Sequence, residues 1–191
     1  MGLLRSYGLV AGLLAVLSAP ALAATCSGVT MPDSLENGDD RLVLNGMGVR
    51  LAPFLGFAVY VAGLYLPERS TDPNVIIGQD QPRRMILHFV EDVNESSMKS
   101  GMQRSLAMNS SELTDTLIEP IKEFQAAMSG FKKGQIVAFD YLPGRGTIVT
   151  VDGETATQIE GANFATAWIS MWLGKPPNEE LKTGLLGGDC F

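Results

Sequence analysis

The chain of 191 residues contains one histidine, His88, and two cysteines, Cys26 and Cys190, which lie at opposite ends. That set cannot supply the usual nitrogen and sulfur cage of a zinc site. No acidic cluster has the spacing of a calcium loop. No metal and no cofactor are therefore expected. Positive charge is also scarce, with 14 Lys and Arg against 21 Asp and Glu and a net charge of −7. No basic cluster stands out, which argues against nucleic acid and against anionic membrane surfaces as partners. Internal repeats, low-complexity tracts and linkers are absent too. Nothing speaks to the oligomeric state.

The first 23 residues read as an address. Arg5 supplies the positive end, Leu9 to Leu17 a short apolar core, and Ala21-Leu22-Ala23 a small-residue cleavage signal. The expected mature chain is 24–191, a single domain by length. A retained anchor is the alternative, but that apolar run is short for a span. Lipidation at Cys26 is another, poorly matched by Thr25 and Ala23 before it. The location implied is periplasmic or secreted, with no membrane span in the mature form. An oxidising compartment makes a disulfide between Cys26 and Cys190 the natural reading. A catalytic thiol is the competing one, yet neither AATCSG nor GGDCF offers a base.

The stretch 42–66, LVLNGMGVRLAPFLGFAVYVAGLYL, organises the rest. Residues 57–66 carry no charge and are rich in residues that favour a pleated strand. A run apolar on both alternating faces predicts a central strand covered on both sides. Just before it, in a strand over 41–51, Arg50 interrupts the apolar neighbourhood. An unpaired buried charge costs several kcal/mol, roughly, so Arg50 is expected to look into a cavity. Gly46 and Gly48 in the same strand signal a bulge or a close approach by another backbone or a ligand.

The remaining elements follow from spacing. Leu35 marks a short edge strand in the polar segment 26–40. Asp72-Pro73 opens a short helix to Ile77. RRMILHFV, 83–90, is a strand with His88 among apolar neighbours, either a general base or a hydrogen-bonded core residue. Asp92 and Glu95 have capping-box spacing, so a helix starts near 93, with Met98, Met102 and Leu106 on one face. Asn109 and Glu112 repeat the device before Leu113, Leu117, Ile121, Phe124 and Met128, with Pro120 kinking or dividing that helix. A hairpin over 135–142 and 146–152 turns at PGRG, and a strand follows near 154–159. Residues 161–173 form an apolar helix with Phe164, Trp168 and Trp172 in one stripe. Asn178 caps a last helix to Leu186. Strands and helices segregated in this way predict an α+β fold, an antiparallel sheet with helices on one face.

LNGMGVR (44–50), VYVAGLYLP (59–67), FDYLPGRGTIVTVDG (139–153) and FATAWISMWLGKPP (164–177) resemble, in this order, the chalcone isomerase superfamily in its bacterial exported branch. The resemblance spans roughly 41–187. It implies an open-faced β-sandwich, a large antiparallel sheet with helices packed on one face and a ligand cleft between them. The plant enzymes of that family close a flavanone ring, using an arginine, two threonines, a tyrosine and an asparagine. Carried over position by position, the arginine falls on Arg50 and one threonine on Tyr60. The tyrosine falls on Asn94, the asparagine on Gly101 and the late threonine on Met171. Only Arg50 is retained, so it is the single candidate catalytic residue. Met98, Met102, Trp168, Met171 and Trp172 suit the lining of an apolar cleft.

Function does not transfer with fold. Arg50 with Tyr60 makes a good receptor for a carboxylate or phenolate. The family's non-catalytic plant branch binds fatty acids with a comparable pair. The leading expectation is a non-catalytic binder of a small amphipathic anion such as a fatty acid. The alternatives are an isomerase or intramolecular lyase acting on a chalcone-like or other enone substrate, with Tyr60 or His88 as acid–base group, and an interaction module without a small ligand.

Overall fold

The computed structural model describes residues 23–53, 55–109 and 115–190, with the backbone alone at Asp115. Residues 1–22 of the leader expected over 1–23, and the Glu112 and Leu113 assignments, fall outside them. Ala23, expected as the last leader residue, is the first residue of β1.

Nine strands and five helices are described: β1 (Ala23–Cys26), β2 (Val29–Pro32), β3 (Ser34–Asn37), β4 (Asp40–Leu51), β5 (Ala58–Leu66), α1 (Pro73–Gly78), β6 (Arg83–Phe89), α2 (Glu95–Asn109), α3 (Asp115–Ala127), β7 (Ile136–Leu142), β8 (Gly146–Val151), β9 (Glu154–Ile159), α4 (Ala162–Leu173) and α5 (Glu179–Leu185). Strands β3 to β9 form one antiparallel meander in sequence order, and the helices pack on one side of it. This is the expected α+β architecture.

β5 is central and covered on both faces. Tyr60, Ala62, Leu64 and Leu66 point into the helical layer. Val61 and Tyr65 pack on the opposite face with Cys26, Val29 and Met31 of the β1–β2 hairpin. A Cβ at Gly63 would meet Met31 Sδ at 2.3 Å, so glycine lets the hairpin lie flat on the strand. The Tyr65 hydroxyl donates to Pro32 O at 2.9 Å. This hairpin was not expected from the sequence, whose only strand signal before residue 40 is Leu35.

Gly46 and Gly48 satisfy both meanings assigned to them. The β4–β5 register shifts between Leu44 and Gly46. On the helix side, a Cβ at Gly48 would lie 2.3 Å from Leu181 O, and one at Gly46 2.1 Å from Gly184 O. α5 therefore rests on β4 at backbone distance. Asn178 stands at the start of α5 without capping it. Its side chain accepts from Leu51 N at 3.3 Å and donates to Val49 O at 3.1 Å, pinning the helix to β4 instead.

Two other cap expectations change. α2 is capped by Asn94, whose Oδ1 accepts from Ser97 N at 2.9 Å. Asp92 instead accepts from Lys133 N at 2.9 Å, which ties together the segments flanking α2 and α3. Asn109 ends α2 rather than capping α3. Its amide accepts from Lys175 N at 2.6 Å and donates to Lys175 O at 2.9 Å, holding the loop after α4. α3 runs through Pro120 undivided.

Cys26 and Cys190 form a disulfide with a Cα–Cα separation of 5.8 Å, inside the usual range. It fastens the β1–β2 hairpin to the chain following α5.

Candidate functional site

The space between the sheet and the helical layer contains a cavity of about 460 Å³, within the usual range for small-molecule pockets. β4 and β5 supply Arg50 and Tyr60, which stand opposite each other in the ladder. β6 adds Phe89, opposite Tyr60 on its other side. α2 and its cap Asn94 contribute one long wall, including Met98, Gly101, Met102 and Arg104, and α4 closes the volume with Met171 and Trp172. Phe57, half-exposed, sits at the mouth. The five positions carried over from the family pattern, Arg50, Tyr60, Asn94, Gly101 and Met171, all line this one volume.

Arg50 is half-buried, and its Nη1 donates to the Leu51 carbonyl. Among the described residues no carboxylate forms an ion pair with it. Burial pulls its proton affinity below the ordinary arginine value; Tyr60 opposes that shift and Arg104 adds to it. A guanidinium still stays charged in any such setting. Tyr60 is buried, and its hydroxyl accepts from Trp172 Nε1 at 3.1 Å. Burial pushes the phenol pKa above 10, against the smaller opposing pulls of the Trp172 N–H and of Arg50. At neutral pH Tyr60 is therefore a neutral phenol that keeps its proton to donate. Its ring meets Phe89 edge to face at 5.5 Å, which fixes its orientation.

Two carboxylates also reach the cavity, Glu91 and Asp92. Both have partners outside it. Asp92 accepts from Lys132 Nζ at 2.9 Å as well as from the Lys133 backbone, and Glu91 lies 3.5 Å from Lys133 Nζ. The Asp92 carboxyl is held below the usual carboxylate range, first by the Lys133 backbone N–H and then by Lys132.

Two residues named from sequence lie elsewhere. Trp168 is fully buried behind the cavity wall, stacked on Phe139 at 5.4 Å with its Nε1 donating to Thr147 Oγ1 at 3.0 Å. His88 pairs with Val61 and Ile136 in the ladder and shares the outer face with Ile86. Strand parity sets it on the side of the sheet away from the cavity. It is a half-buried outer-face residue, neither the hydrogen-bonded core residue of one reading nor a general base that reaches Arg50. Arg104 was missed. On α2 it follows Asn94, Ser97 and Gly101 at helical spacing, but its sequence neighbours are polar and nothing marked that face as the lined one.

The family model described as chalcone isomerase-like matches residues 23–187. The chain belongs to the chalcone isomerase-like family. Among solved structures, this chalcone isomerase-like chain is similar to a fatty-acid binding protein of Arabidopsis thaliana. The two share 15% identity with a TM-score of 0.68, over 86% of this chain and 96% of that one. At that identity the likeness shows the fold. A comparison with curated proteins finds no significant match. Among the described residues, no helix is long and apolar enough to cross a membrane.

Proposed function

We propose that this chain is an exported, non-catalytic binding protein that takes a small amphipathic anion, of the fatty acid class, in the cavity between sheet and helices. The carrying observation is Arg50. It is a guanidinium without a carboxylate partner among the described residues, set beside a protonated phenol at one side of a hollow lined by Met98, Met102, Phe89, Met171 and Trp172. The headgroup accepts from Arg50 and Tyr60, and the tail lies along the methionines, whose flexible side chains adapt to its shape. The name of the Arabidopsis neighbour supports the ligand class. A leader cleaved after Ala23 and an oxidising destination fit the Cys26–Cys190 bridge.

The isomerase reading needs a base beside Arg50. Tyr60 is held protonated, His88 lies on the other face, and Glu91 and Asp92 are engaged by lysines. These features favour binding without turnover. An interaction module without a ligand would neutralise Arg50 internally, and no described carboxylate does so.

Binding of long-chain fatty acids by the wild type and by Arg50→Ala tests the reading. A charge-assisted contact contributes roughly 1.5–3 kcal/mol, so affinity should fall about ten- to a hundredfold in the variant. Equal affinity in the two proteins would remove the headgroup assignment.

A further inference from the structure

The cavity holds a second cation that a monocarboxylate leaves uncompensated. Arg104, exposed on α2, lines the same volume as Arg50. It has no hydrogen bond or ion pair with a described residue. The carboxylates that line the cavity, Glu91 and Asp92, pair with Lys133 and Lys132. Two like charges therefore share one hollow with nothing fixed between them. Their repulsion registers at Arg50, where Arg104 is one of the influences lowering proton affinity.

The donors around the rim point the same way. Arg50 uses a single N–H on Leu51 O, and Tyr60 keeps its O–H. The hydroxyls of Ser97 and Ser100 line the cavity without a partner among the described residues. The first turn of α2, the positive end of that helix dipole, borders the volume as well. A carboxylate has two oxygens and one charge. A phosphate monoester presents three acceptor oxygens and up to two charges.

Building on the fatty-acid-type reading above, we infer that the natural occupant is a single-chain lipid with a doubly charged headgroup, of the phosphate monoester class, gripped between Arg50 and Arg104. Arg104 is the specificity-determining residue. It decides between one negative charge and two, while Arg50 receives either.

Dodecyl phosphate and dodecanoate, equal in chain length, are the probes, titrated by calorimetry against the full chain from pH 5 to 8. The phosphate loses its second proton near pH 6, roughly. Wild type should bind dodecyl phosphate at least ~10-fold more tightly than dodecanoate at pH 8, with the advantage shrinking toward pH 5. Arg104→Gln should weaken the phosphate far more than the carboxylate and flatten the pH dependence, and Arg104→Lys should restore it. The dodecanoate series reports any titration of the other groups that line the cavity, Tyr60 of β5 and Glu91 and Asp92 after β6, and of the partners of those carboxylates, Lys133 and Lys132. Equal affinities for the two probes at pH 8, or an advantage that survives Arg104→Gln, would overturn the inference and leave the binding reading standing. Binding of neither probe would overturn both.

Discussion

The indole N–H of Trp172 and the hydroxyl of Tyr60 meet at 3.1 Å where α4 closes on β5. Trp172 is buried, so its only donor depends on that contact. Tyr60→Phe leaves the N–H without an acceptor and should destabilise the protein by about 1–3 kcal/mol, read as a lower urea midpoint at unchanged slope. It should also weaken anion binding, since one of the two headgroup donors is lost. At this scale the sequence was informative where chemistry contrasted with surroundings. Arg50 between apolar strands is conspicuous, and Tyr60 is one of only two polar side chains in its run. Trp168 and Trp172 were indistinguishable, one turn apart on one stripe. Packing separates them, because Thr147 of β8 offers an acceptor that holds Trp168 in the core.

α2 combines a lining face with a glycine at its centre. A Cβ at Gly101 would meet no atom within 4 Å, because that position opens onto the cavity. Glycine inside a helix costs roughly 0.5–1 kcal/mol relative to alanine, so the empty position lowers stability and preserves volume. Gly101→Met should shift both properties in opposite directions. The melting temperature should rise while affinity for a long-chain ligand falls by an order of magnitude or more, compared by thermal melts and binding isotherms on one preparation. Long strands such as β5 and β6 were legible from their alternation. Caps were less so, because 92–96 offers Asp, Asn and Ser together. Tertiary contacts choose among them: Asp92 is drawn to Lys133, which leaves Asn94 to cap α2. The β1–β2 hairpin was invisible because its residues are few and its hydrophobic partners, Val61 and Tyr65, lie in a distant part of the chain.

Across the whole molecule, three tyrosines respond to alkali together. Burial pushes Tyr65 and Tyr141 each to about 12, and Tyr60 upward as well, from an ordinary value near 10. A raised folded-state value means the folded protein holds its phenolic protons more tightly than the unfolded chain. The corresponding stability is fully present below pH ~10 and is lost as pH climbs from there toward 12. Denaturant unfolding at intervals from pH 8 to 12 should show a plateau followed by a decline, shallower in Tyr65→Phe. The α+β architecture with helices on one side was legible from the segregation of strand and helix signals. That the outer face of β5 is covered was legible from its apolar run; that the β1–β2 hairpin covers it was not, since this depends on the fit of Met31 over Gly63 rather than on any local pattern.

The Cys26–Cys190 bond converts a linear polymer into a covalent ring, spanning 164 residues of sequence separation, with a tail on either side of it. Tension applied to those tails passes through the sulfur atoms and never loads the meander. A translocating machine that grips either tail must drag two strands of polypeptide abreast through its channel, or wait for a reductant. The same ring limits how far the unfolded protein can expand, so a transient excursion from the native state returns along a shorter path.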